Sequence, residues 1–165
     1  HYTVALILFV AASLTDMIDG KMARKYNMIT DFGKFLDPLA DKMLTTAAFL
    51  GFIKMGIGWE VTWIAFIVLF REFLISSLRL VVVSSGGKVI AANMWGKCKT
   101  VSQVVGIIFA LFSYVLIDDF SVGGEGFAFV CGIIISILFW VSAVLSIISG
   151  IIYLLDSREY VDPSK

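Results

Sequence analysis

The sequence predicts an all-α fold, a polytopic transmembrane helical bundle of five segments, and three observations carry that prediction. Of the 165 residues, 59% are apolar, and 14 glycines take the non-polar share well above that of an ordinary soluble domain. Charged residues make up only 16%, 13 of each sign, so the formal net charge is zero. Several apolar stretches approach the ~20 residues with which a helix crosses a hydrocarbon core of about 30 Å. The same figures argue against other classes. There is no basic excess to draw the chain to nucleic acid, the abundant apolar surface is unlike a disordered chain, and two cysteines, Cys98 and Cys131, make no disulfide framework.

The five segments fall at about 1–24, 34–56, 60–84, 100–117 and 127–155. The first is apolar from Tyr2 to Leu14 and then meets Asp16 and Asp19. The second opens with Asp37 and Asp41 before the apolar run Met43 to Ile53. Arg71, Glu72 and Arg79 interrupt the third. No charge lies between Thr100 and Ile117 in the fourth, or between Phe127 and Leu155 in the fifth, which is long enough to tilt. The connections alternate in sign. Lys21 to Lys42 holds five basic residues and Ser84 to Lys99 holds three with no acid, whereas Gly56 to Glu60 and Asp118 to Glu125 carry acids and no base. Basic connections stay cytoplasmic, which puts the start of this chain outside and its end, from Asp156 to Lys165, inside. No internal repeat or second domain is visible, so residues 1–165 read as one membrane domain.

Residues 16–42 contain ten of the 26 charged residues. At 3.6 residues per turn, Asp16 and Asp19 share a helix face with Gly20 and Ala23, and Asp37 shares one with Asp41. Where two such faces meet, four carboxylates converge, and their mutual repulsion in a partly desolvated site is relieved by bound cations. Hard oxygen ligands without His or Cys favour Mg²⁺ or Mn²⁺. Gly20 and Ala23 leave space for a ligand to approach the backbone beside the metals. A plainer account is open for each aspartate taken singly. Asp37 before Pro38 reads as a helix N-cap, and Asp16 or Asp19 pairs with Lys21, Arg24 or Lys25 as a solvated charge.

Asp16-Met-Ile-Asp19-Gly20-Lys-Met-Ala23-Arg24, then eight residues, Gly33, three residues, Asp37, three residues and Asp41 fills eight fixed positions over 26 residues. This pattern resembles the signature of the CDP-alcohol phosphotransferase family of membrane enzymes. Phe70-Arg71-Glu72-Phe73 to Arg79-Leu80 and Ala91 to Thr100 are similar to the branch of that family whose acceptor is glycerol 3-phosphate. The resemblance covers most of residues 10–100, with the last third alike only in hydropathy. It implies a further helix ahead of the first segment, six in the complete protein. It also implies an activity: an acceptor hydroxyl of glycerol 3-phosphate attacks the phosphorus that bears diacylglycerol in CDP-diacylglycerol, and CMP leaves. Two divalent ions, Mg²⁺ or Mn²⁺, would neutralise and orient the diphosphate. Carried over by position, Asp16, Asp19, Asp37 and Asp41 become metal ligands, with Asp41 closing the site from the acceptor side as general base. Asp16, Gly20, Ala23 and Arg24 would serve the nucleotide end.

Arg71, Glu72 and Arg79 occupy one side of the third segment and are expected to face the bundle interior, with Glu72 paired to an arginine or lysine. The remaining cations, Arg79 with Lys97 and Lys99 and with Arg71 beside them, would clasp the acceptor phosphate. The plainer account of Arg79, Lys97 and Lys99 is snorkelling toward lipid head groups. Ser142, Ser146 and Gly150 repeat every four residues and allow another helix to approach closely, in the same chain or a second copy. The resemblance favours a homodimer in the inner (plasma) membrane, its site facing the cytoplasm and contacting membrane lipids. Alternative acceptors are inositol phosphate, serine or a lipid. An alternative class is a divalent-cation transporter, since intramembrane aspartates also line ion paths.

Overall fold

The computed structural model describes the backbone of residues 1–25, 31–84 and 94–161, with the side chains at 17, 19–25, 31–41, 83–84 and 159–161 outside that description. Among the described residues the chain is all-helical: α1 (Tyr2–Lys25), α2 (Asp31–Lys54), α3 (Glu60–Ser84), α4 (Met94–Tyr114), a π-helical turn (Val115–Asp119) and α5 (Glu125–Val161). α4 with its π turn, through Asp119, and α5, through Arg158, are long and apolar enough to cross a membrane.

The helices run past the apolar stretches that mark them in the sequence. α2 begins at Asp31 and α4 at Met94, because backbone hydrogen bonding continues into polar turns once a helix is nucleated. This corrects the N-cap reading of Asp37. The residue lies inside α2 rather than at its start, and Pro38, also interior, removes the N–H that would bond the carbonyl four residues earlier. Lys97 and Lys99 likewise sit in the first turns of α4 and not in a connection.

Successive helices alternate in direction. At one end Tyr2 of α1 lies 5.5 Å from Tyr114 of α4, ring centre to ring centre, and Asp119 Oδ2 accepts from Thr3 N–H (2.8 Å) and Thr3 Oγ1 (2.7 Å). Ser136 of α5 donates to Glu60 Oε1 of α3 at the same end (2.9 Å). The tight α2–α3 connection is a Schellman stop. Gly56 has φ +71°, its N–H bonds the Ile53 carbonyl (3.1 Å), and Ile57 N–H bonds the Phe52 carbonyl (3.2 Å) while its side chain packs on the core.

The core is a plug of aromatic and branched side chains. Phe139 of α5, fully buried, packs against Phe49 (5.3 Å) and Phe52 (5.7 Å) of α2, and Ile64, Val68, Ile107 and Ala143 surround the cluster. Gly106 permits this: a Cβ there would meet the Phe139 ring at 3.1 Å, so only a glycine lets α4 and α5 close to this distance without a shift. Outside, the pattern inverts, with Leu8, Phe73, Leu80 and Phe129 all at least 64% exposed. A contiguous apolar exterior on this scale marks a surface made for a partner or a membrane. Phe139→Ala is expected to cost about 3–5 kcal/mol, read as a lower unfolding midpoint in detergent, with no change in the affinity of the folded fraction for substrates.

Candidate active site

The signature residues lie on two neighbouring helices. Asp16, Asp19, Gly20, Ala23 and Arg24 occupy the later turns of α1, and Asp37 and Asp41 the first half of α2, which packs against α1. Both stretches are continuous helix, so Asp16 and Asp19 stand about 60° apart around α1, and Asp37 and Asp41 about 40° apart around α2. Of this set, the Asp16 side chain is described and exposed. Those of Asp19, Gly20, Ala23, Arg24, Asp37 and Asp41 lie outside the described residues. Groups of three or more potential metal-binding His, Cys, Asp or Glu are therefore absent among the described residues. The donor chemistry suits a hard divalent ion: the signature carries carboxylates only, without a thiolate or imidazole.

One residue past Asp41, the description of α2 side chains resumes at Lys42, and there three helices are tied together. The Glu72 carboxylate of α3 accepts from Lys99 Nζ of α4 (2.7 Å) and from Arg71 Nη1 (2.8 Å), both at Oε1, while Lys42 Nζ of α2 approaches Oε2 (3.8 Å). Lys42 Nζ also donates to the Glu72 carbonyl (3.4 Å) and to Ser76 Oγ, which itself donates to that carbonyl (2.8 Å). The Lys99 side chain is 5% exposed and those of Arg71, Glu72 and Lys42 between 15% and 25%. Charges so far out of water are tolerable only when paired and hydrogen-bonded. The expected pairing of Glu72 with a basic residue is what the structure has. The count of free cations changes, however: Lys99 and Arg71, assigned to the acceptor phosphate, both place nitrogens on Glu72, because the rotation of α4 carries Lys99 inward while Lys97 stays exposed.

Arg79 lies two turns beyond Glu72 on α3 and differs from its neighbours. It makes no ion pair to a described carboxylate and its guanidinium carbon sits 5.7 Å from the centre of the Tyr153 ring of α5, while its buried Nε, like that of Arg71, has no hydrogen-bond partner among the described residues. That ring holds the cation by its π face, a contact that uses none of its N–H donors. The hydroxyls of Tyr153 and, one turn further along α5, Ser157 are buried and also lack a described partner. The small-residue stripe explains the approach. Ser142, Ser146, Ser149 and Ser157 are fully buried, and a Cβ on Gly150 would meet Arg71 Cγ at 3.3 Å, so the helix admitted at Gly150 is α3 of the same chain. Sequence reasoning missed Tyr153, Ser157 and Ser76. Continuing the 142–146–150 spacing by three and then four residues would have found the first two.

A cavity of about 790 Å³ opens at the opposite end, beside Gly58, Glu60, Tyr114, Ile135, Ser136 and Trp140. Its walls are apolar, its one charged residue is an acid already bonded by Ser136, and it offers no cation to a phosphate. The other end, where Lys42, Glu72, Arg79 and Lys99 lie and to which both signature stretches lead, carries the cations that the cavity lacks.

A helical bundle with two helices long and apolar enough to cross a membrane, and with Lys42, Arg71, Arg79 and Lys99 toward the end to which both signature stretches lead, fits a membrane enzyme. The chain belongs to the CDP-alcohol phosphatidyltransferase family, whose model matches residues 1–152. It is 37% identical over 158 residues to the "CDP-diacylglycerol--glycerol-3-phosphate 3-phosphatidyltransferase" of Bacillus subtilis (strain 168), covering 96% of this chain and 75% of that protein. A protein of the same name from Rickettsia bellii is 37% identical over 159 residues, covering 93% and 78%. A "Probable phosphatidylglycerophosphate synthase" of Mycobacterium tuberculosis is 43% identical over 105 residues, covering 63% of this chain and 48% of that protein.

Proposed function

We propose that this chain transfers the phosphatidyl group of CDP-diacylglycerol to glycerol 3-phosphate, forming phosphatidylglycerophosphate and releasing CMP. The observation that carries the reading is the complete eight-position signature on two packed helices, in a chain alike over nearly its whole length to relatives named for this reaction. In this reading the five helices all cross the inner (plasma) membrane, with the charged end at its cytoplasmic face and a second copy of the chain as partner. Two divalent ions, Mg²⁺ or Mn²⁺, when bound, supply charge neutralisation along the diphosphate.

The chain's own residues do the rest. Asp16, Asp19, Asp37 and Asp41 hold the ions, and Gly20 and Ala23 leave room beside α1 for the nucleotide, with Arg24 at its phosphate end. Asp41 Oδ takes the proton of the acceptor hydroxyl as that oxygen bonds to the phosphatidyl phosphorus and the bond to the CMP oxygen breaks. Arg79 and Lys97 bind the acceptor phosphate, Arg79 with the forked donors of a guanidinium. Lys99 and Arg71 contribute charge from behind through their shared contact with Glu72.

The test is CMP release by the purified protein in liposomes containing CDP-diacylglycerol, with a panel of acceptors. Glycerol 3-phosphate is expected to support release, inositol phosphate, serine and a lipid acceptor far less, and EDTA to abolish it. Preference for another acceptor, or release that survives chelation, would overturn the reading. Divalent-cation flux without CMP would assign the aspartates to transport.

A further inference from the structure

We propose that Glu72 is a positioning residue for the reaction: by clamping Lys42 it fixes the rotation of α2, and with it the Asp37 and Asp41 turns. The proposal rests on the phosphatidyl-transfer reading and adds to it a residue that touches neither substrate nor metal.

The geometry points to α2 as the element held. A single arginine neutralises a carboxylate, and Arg71, the adjoining residue on α3, already does so at 2.8 Å. Glu72 nevertheless draws in Lys99 from α4 and Lys42 from α2. The Lys42 contact is a three-point one, made with the Glu72 carboxylate, the Glu72 carbonyl and the Ser76 hydroxyl. Three acceptors on one helix define where an ammonium on another must sit, which one surface ion pair does not.

Further along α2, Phe49 and Phe52 are locked in the core against Phe139. A helix fixed at two heights can neither rotate nor slide. Asp41 precedes Lys42 directly, and Asp37 lies only about 7.5 Å along the axis at 1.5 Å per residue, so both inherit the position of the clamp. Groups that orient metal ligands from one layer out commonly change metal affinity or activity about 10–100-fold when removed. Glu72 does this through the backbone of a helix instead of through a hydrogen bond to a ligand.

The experiment compares Glu72→Gln, Glu72→Asp and the unsubstituted protein by two independent readouts. One is Mn²⁺ binding without substrates, followed by the loss of the free-ion EPR signal. The other is CMP release with glycerol 3-phosphate, resolved into kcat and KM. Glu72→Gln is expected to weaken Mn²⁺ binding and lower kcat by about tenfold each, with the KM for CDP-diacylglycerol changed less than about threefold. Glu72→Asp, which keeps the charge, recovers part of both. Mn²⁺ binding and kcat like those of the unsubstituted protein, or losses that equal the fall in folded fraction, would overturn the proposal. Should Glu72→Gln fail to fold, Lys42→Met removes the α2 clamp while leaving Glu72 with Arg71 and Lys99. The same Mn²⁺ shift is expected there, and its absence counts against the clamp. If the unsubstituted protein releases no CMP, the transfer reading fails while the Mn²⁺ arm still decides the role of Glu72.

Discussion

Asp41→Asn is expected to lower kcat for CMP release by about 10²–10⁴-fold, the range that a well-placed general base contributes. The amide keeps the size and one oxygen of the carboxylate but accepts no proton at neutral pH. Attack by the glycerol hydroxyl then has no base beside it. In the proposed reading CDP-diacylglycerol is bound mainly through Asp16, Asp19 and the small residues of α1, so its affinity should stay within a few-fold. Isothermal titration with the liponucleotide and Mg²⁺, set beside single-turnover CMP release, separates the two. Near-normal turnover would remove Asp41 from the role of base. A large loss of liponucleotide affinity would make it chiefly a metal ligand.

Arg79→Ala carries the second large effect, on the acceptor. The guanidinium has no described carboxylate to serve, and a buried Nε without a described partner. Truncating one side of a desolvated charge pair typically costs about 2–5 kcal/mol, and each 1.4 kcal/mol is about tenfold. The KM for glycerol 3-phosphate should therefore rise about 30-fold or more, with CDP-diacylglycerol little affected. Arg79→Lys keeps the charge and the contact with Tyr153 but loses the fork, so an intermediate value is expected. A rise confined to CDP-diacylglycerol would move Arg79 to the other substrate.

Much of the fold was legible because it is local. Apolar runs longer than ten residues, interrupted by Gly56-Ile57-Gly58 and by Asp118 to Glu125, place helices wherever the backbone must satisfy its own hydrogen bonds. The interior side of α3 was legible too, since residues 71, 72 and 79 fall together on a wheel and charges avoid lipid. Helix ends were less so: hydropathy records where a stretch becomes apolar, while α2 and α4 start in the charged turns before it. For the same reason Asp37 looked like a cap from its proline neighbour alone. Of the candidate site, the signature spacing was plain, as was the need of Glu72 for a cation. Which cation was not, because Lys97 and Lys99 are equal in type and only two residues apart.

The sequence by itself determined the helical class, the family and the residue types proposed for the chemistry, since each is written in spacing along one strand of chain. Only the tertiary structure decided that Lys99 turns in to Glu72 while Lys97 turns out, that Gly150 of the small-residue stripe receives α3, and that Arg79 rests on Tyr153. These choices depend on the relative rotation and height of helices. Phe139 seated over Gly106 and against Phe49 and Phe52 helps set both, through contacts between residues tens of positions apart that no local pattern encodes.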